Sequence, residues 1–158
     1  LNKKVQKYCE EKYDEFIGKE YISNKENMDI VKYSMLRVEE YGLAIELYLK
    51  IKDDNEDFNE LAKIYSTGIE KKTSGVIGPL PLERVNNLMR QKLRKNNLKI
   101  LNKPFKYNNE WILCRLEEYT ESKLDQKTVM NLKSKILDEE IEREIINCYT
   151  NDLNRLLN

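Results

Sequence analysis

Apolar residues recur along this chain with two different periods, and the switches between those periods predict its architecture. Val5, Tyr8, Cys9, Tyr13, Phe16 and Ile17 return every three or four residues, which places them on one stripe of a helix that fades near Gly18. Ile30-Val-Lys-Tyr-Ser-Met-Leu-Arg-Val38 is rich in β-branched and aromatic residues with partial alternation, the mark of a central strand. Leu43, Ala44, Leu47, Tyr48 and Ile51 restore helical spacing until Asp53-Asp54-Asn55 stops it, and Phe58, Leu61, Ala62 and Tyr65 share one face of a second short helix. Gly75 and Gly78 bracket Val76-Ile77 as a short strand. Pro79 and Pro81 lack the N–H a helix needs and forbid one until Leu82, after which Val85, Leu88, Met89 and Leu93 mark another helix. Leu98 to Phe105 and Trp111 to Leu116 read as strands around Asn108-Asn109, because asparagine tolerates the positive φ of a two-residue hairpin turn. A last helix starts after Asp125, a capping residue. It carries Val129, Leu132, Ile136, Ile141, Ile145, Tyr149, Leu153 and Leu156 with no proline or glycine to break it.

The string is βααβαββ between two helical arms, an α+β architecture. It divides into an N-terminal arm at 1–28, a central domain at 29–120 and a C-terminal helix at 121–158 that packs with the first arm. Amphipathic stripes do not stay solvated alone, so the arms are expected to bury their faces on each other, on the core, or on a second copy in a dimer.

Composition removes several classes of function. Lysine plus arginine balance aspartate plus glutamate at 28 each, so no overall field draws nucleic acid to the chain. The basic cluster Arg90, Lys92, Arg94 and Lys95 reads first as a solvated helix face, and so does the acidic run Asp138-Glu139-Glu140 with Glu142 and Glu144. No apolar run reaches the roughly 18 to 20 residues of a membrane span, and nothing resembles a signal peptide. The chain opens on Leu1 rather than methionine, which leaves room for an upstream segment. Cys9, Cys114 and Cys148 are odd in number and set in apolar patterns, which suits reduced thiols and a cytoplasmic setting. With no histidine and no close cysteine pair, ligands for zinc or haem are missing, and no cofactor is expected.

Particular residues between Asp29 and Glu118 resemble the parvulin (PpiC-type, rotamase) peptidyl-prolyl isomerases. Phe58-x-x-Leu61-Ala62-x-x-Tyr65-Ser66 is similar to the family's second-helix signature, and Gly75-x-x-Gly78 to its glycine-bounded strand. Val31-Lys-Tyr-Ser34 followed by Leu36 resembles its first strand, Ala44 to Ile51 the helix after it, and Pro104-Phe105 the opening of its final hairpin. Tyr33-Ser34-x-x-Arg37-Val38, Gly75-x-Ile77-Gly78-Pro79 and Trp111-x-x-x-Arg115-Leu116-Glu117 are similar to a divergent branch found in cyanobacteria. The resemblance implies a four-stranded, mainly antiparallel sheet and a site in which Met35 and Ile112 stand where the family has histidines. Gly68 stands where it has a cysteine or aspartate, and Asn109 where it has a supporting serine or threonine. Val85, Leu88, Met89 and Leu93 fall on the apolar wall that holds the proline ring.

What such a site could do is limited by its missing polar groups. Rotation about a peptide bond has a barrier of about 18 to 20 kcal/mol but breaks no bond, so an apolar cup that favours the twisted amide needs no acid, base or nucleophile. One expectation is therefore a parvulin-like isomerase or foldase domain that binds unfolded or proline-containing polypeptide. The other is a non-catalytic interaction module whose helical arms carry a partner, since fold alone does not fix function.

Overall fold

A computed structural model describes the backbone of residues 3–94 and 97–156 and the side chains of residues 16–94 and 97–150. Val5, Tyr8, Cys9 and Tyr13 of the first stripe, Lys95 of the basic cluster, and Leu153 and Leu156 of the last stripe lie outside the described side chains. The chain divides into two compact units, one formed by residues 26–122 and one by residues 1–25 together with 123–158.

In the 26–122 unit the order is β1 (Ile30–Val38), α2 (Tyr41–Lys52), α3 (Phe58–Tyr65), β2 (Val76–Pro81), α4 (Asn87–Lys92), β3 (Phe105–Tyr107) and β4 (Glu110–Thr120), after a helix α1 (Lys3–Met28). Short 3-10 turns at Ile69–Thr73 and Leu82–Arg84 flank β2. The strands form one antiparallel sheet in the order β2-β1-β4-β3. Asp57 starts α3 by accepting the N–H groups of Asn59 and Glu60 at 2.9 Å, and Asn86 starts α4 by accepting that of Leu88 at 2.9 Å. Gly75 has φ +81°, and a Cβ there would lie 2.7 Å from the Cβ of Ala62 and 2.8 Å from the Met35 carbonyl oxygen, so only glycine lets β2 approach β1 this closely.

Alternation along β1 and β4 splits the core between the two sheet faces. Leu36, Val38 and Leu113 meet α2 and α3 through Ala44, Leu47, Phe58 and Leu61 on one face. Val31, Tyr33, Ile112, Cys114 and Leu116 meet Val85, Met89 and Leu93, on and beside α4, on the other. At the foot of the sheet the buried Asp29 carboxylate accepts the Tyr119 hydroxyl at 2.5 Å and the Ser122 N–H at 2.7 Å, which joins the start of β1 to the end of β4.

Three local expectations change. Residues Leu98 to Phe105 do not form a strand: Leu98 and Leu101 make isolated bridges to β4, and β3 proper is three residues long. Lys99 at φ +62° turns the chain out of extended geometry, Pro104 has no N–H to donate, and Leu98 and Ile100 are exposed while Leu101 packs against the core, so the segment has no continuous alternation to bury as a strand. Helix α4 begins at Asn87, because the Leu82–Arg84 turn and the Asn86 cap precede it. Helix α1 continues past Gly18 to Met28. The hairpin turn at 108–109 has positive φ at Asn108.

In the unit formed by the chain ends, α5 (Gln126–Leu156) starts where Asp125 accepts the Thr128 N–H at 2.7 Å. Its stripe is buried at Leu132 and half-buried at Val129 and Ile136. From Ile141 through Ile145, Ile146 and Tyr149 it is exposed.

Candidate functional site

The residues expected to line a proline pocket are mostly core. Val85, Met89 and Leu93 are buried together with Ile112 on the α4 face, Leu88 is half-buried outside that cluster, and Met35 packs against its edge. Met35 and Ile112 share this face on neighbouring strands, with Met35 opposite Cys114 and Ile112 opposite Arg37. Asn109 is exposed in the β3–β4 turn, apart from that cluster. The Cys114 thiol is pushed up to about 12 by burial, which leaves it an unreactive apolar filler rather than a nucleophile.

The polar chemistry on this face lies one pleat further along the sheet. Arg37 follows Met35 by two residues on β1, and Glu110 precedes Ile112 by two on β4; in antiparallel strands both steps run in the same direction, about 7 Å. Glu70 likewise follows Gly68 by two. Arg37 Nε and Nη2 donate to the two Glu70 oxygens at 3.0 and 2.6 Å, a side-on pair, while Nη1 reaches Glu110 Oε2 at 3.4 Å. The Ser66 hydroxyl donates to Glu70 at 2.5 Å and accepts the Arg37 backbone N–H at 3.1 Å. The Thr67 hydroxyl donates to Glu110 at 2.7 Å, and the Thr67 N–H donates to the Arg37 carbonyl at 3.0 Å. The loop from Ser66 to Glu70 is thereby sewn to the end of β1.

Burial works against the Glu70 carboxylate, whose side chain is 1% exposed, but the hydrogen bonds from Arg37 and Ser66 outweigh it and hold its pKa below the usual value. The Glu70 hydrogen bond in turn raises the pKa of Arg37 against the opposing effect of its burial. A second carboxylate, Glu117, is also held low against its burial, by Lys99, Ser34 and Arg115. It lies toward the other end of β4, where it accepts the Ser34 hydroxyl at 2.7 Å, Arg115 Nε at 2.9 Å and Lys99 Nζ at 2.8 Å.

Gly68 explains the absence of a side chain at its position. A Cβ built there would collide with Arg37 Nη2 and Cζ and with Glu70 Oε2, so the guanidinium and carboxylate occupy the space that any side chain at 68 would need. Backbone strain is not the reason, since Gly68 is extended at φ −91°, ψ 178°. Among the described residues no group of three or more acidic or cysteine side chains is arranged to hold a metal ion.

Neither a family model nor a curated protein sequence matches the chain. Solved structures do. A peptidylprolyl isomerase, PrsA, from Bacillus anthracis aligns at TM-score 0.60 and 17% identity, over 85% of this chain and 60% of its own. The parvulin domain of PpiD from E. coli aligns at TM-score 0.53 and 17% identity over 62% of this chain and 95% of its own. The chain has the parvulin fold.

A structure of the Campylobacter jejuni proteins PEB4 and Cj1289, described as SurA-like chaperones, aligns at TM-score 0.53 and 17% identity over 94% of this chain and 66% of that one. The chain thus spans about three fifths of the PrsA it matches. Its likeness to PrsA and to the SurA-like chaperones covers more residues than the 26–122 unit contains, so it reaches into the helical arms.

In parvulin terms, Met35, Gly68 and Ile112 carry no polar side chain, and a charged network of Arg37, Glu70 and Glu110 sits beside them. Arg37 was visible in the sequence only as part of a recurring motif. Its parity with Met35 on a strand that alternates, which puts it on the same face, was the available signal. Glu70 carried none, because its burial depends on how the 66–70 loop folds back on β1.

Proposed function

We propose that this chain is a polypeptide-binding domain of the foldase kind, which takes extended, proline-containing segments on the α4 side of its sheet. The observation that carries this reading is that the likeness to PrsA and to the SurA-like chaperones covers more of the chain than the 26–122 unit contains. Several features fit a binder better than a chemist. The expected acid, thiol and imidazole positions hold Gly68, Met35 and Ile112, and the apolar residues meant to cup a proline ring are packed as core. No helix among the described residues is long and apolar enough to cross a membrane. The client is polypeptide, and no cofactor takes part.

Exchange NMR on a short Xaa-Pro peptide tests the reading, following line-broadening and cis–trans exchange with and without the protein. Broadening at sub-stoichiometric protein is the expected result, while a spectrum unchanged at the highest accessible protein concentration refutes it. A second reading, a partner-binding module or dimer working through the arms, draws on the exposed Ile141, Ile145, Ile146 and Tyr149 of α5. Sedimentation of wild type against Ile145→Lys distinguishes it by a change in assembly state.

A further inference from the structure

The space that a side chain at position 68 would fill is taken by the Arg37 guanidinium. Where the parvulin resemblance implies a thiol or an acid, this chain offers a fixed cationic donor. The guanidinium is held on one edge by the side-on pair with Glu70, so its plane and direction are set before any ligand arrives. Arginine carries five N–H donors, and those aimed at Glu70 are well made at 3.0 and 2.6 Å. The Nη1 contact with Glu110 is long, at 3.4 Å, and the Arg37 side chain remains 24% exposed. That edge is the part of the site a ligand can take over at low cost, since Glu110 keeps its bond from Thr67.

The chemistry of an Xaa-Pro segment decides what the edge would bind. The prolyl nitrogen carries no hydrogen, and in the planar amide its lone pair is delocalised, so the acceptors offered by the backbone are carbonyl oxygens. Hydrogen bonding to that oxygen favours the polar resonance form with C–N double-bond character. It therefore stabilises the planar amide over the twisted one, the opposite of what rotation needs.

We propose that Arg37 is the anchor for the carbonyl oxygen preceding proline, and that it makes this a site that holds prolyl segments without accelerating their isomerisation. The inference rests on the polypeptide-binding reading above and adds its contact residue and its catalytic sign. Arg37 is a substrate-binding residue here, Glu70 and Ser66 position it, and Gly68 makes room for it.

The test uses the full chain and two peptides, one Xaa-Pro peptide and its analogue with a thioamide sulfur, a poorer acceptor, in place of the carbonyl oxygen before proline. Wild type should bind the oxygen peptide about tenfold or more tightly than the thioamide, the worth of one hydrogen bond to a charged group. Exchange in the bound peptide should be no faster than in free solution. In Arg37→Ala/Glu70→Gln, which removes both charges and so leaves no carboxylate buried alone, the preference should collapse to less than about twofold with the fold confirmed by circular dichroism. Arg37→Lys, which keeps a cation beside Glu70, carries the same expectation where the double variant does not fold. Discrimination that persists in the folded variants, or wild-type acceleration of exchange, overturns the inference while leaving polypeptide binding intact. Failure of wild type to bind either peptide overturns the binding reading itself and the anchor with it.

Discussion

Gly68→Ala should be destabilising, although nothing in the backbone at that position requires glycine. The conformation is extended, and by itself an alanine there would gain about 0.4–1 kcal/mol by restricting the unfolded chain. The opposing effect is steric and local: the new Cβ falls on the Arg37 guanidinium and the Glu70 carboxylate. These are ends of side chains and can move, but moving them separates a pair whose carboxylate is 1% exposed. Breaking a buried pair costs about 3–5 kcal/mol, and the partial exposure of Arg37 and the alternative donor Ser66 reduce that to about 2–3 kcal/mol net. The measurement is a double-mutant cycle by urea unfolding, with Gly68→Ala introduced into wild type and into Arg37→Ala/Glu70→Gln. In the second background the collision with the Arg37 guanidinium is gone and the one left, with the end of Gln at position 70, can be relieved without separating charges, so the same substitution should cost clearly less than in wild type. A Gly68→Ala effect below about 0.5 kcal/mol in wild type, or an equal loss in both backgrounds, would refute the claim that this glycine exists to admit the ion pair.

The remaining predictions concern acid stability and the α4 core. Glu70 and Glu117 are both held below the ordinary carboxylate value of 4.5, so below that pH the unfolded chain takes up more protons than the folded one. Their contribution is fully present above about pH 4.5 and is lost as pH falls through the folded values. Urea midpoints measured from pH 6 to pH 3 should fall, and the fall should be shallower in Arg37→Ala/Glu70→Gln; an identical slope would show that Glu70 is not a source of it. Met89→Ala should lower stability by about 2–4 kcal/mol, because Met89 is 5% exposed among Tyr33, Val85, Leu93 and Ile112. A loss below about 1 kcal/mol in urea unfolding would mean that Met89 lines an open cavity rather than core.

Much of the candidate site was legible, but as positions rather than as a working arrangement. The resemblance placed Met35 and Ile112 on adjacent strands, and the ladder puts them on the same face. It placed Val85, Met89 and Leu93 together, and they are together, though as core. The charged network escaped notice because a lone arginine on a strand and a lone glutamate in a loop look like solvated charges until a fold brings them within 3 Å. Asn109 sits in the turn that its tolerance of unusual backbone angles predicted for the pair 108–109, with the positive φ on its neighbour.

By itself the sequence determined the order and type of the elements. Periodicity, caps and breakers are local, so Asp125, the prolines at 79 and 81 and the alternation in Ile30–Val38 each act within a few residues of where they stand. It failed at Leu98 to Phe105, where a run with strand composition is held by isolated bridges to β4 and a positive φ at Lys99 instead. Tertiary structure decided which face each strand residue meets and which helix covers it. It also decided that the polar centre of the site lies one pleat beyond the positions the resemblance marks. Arg37 and Glu70 fill the space beside Gly68, which stands thirty-one positions from Arg37, and such filling across that distance is a property of the folded chain alone.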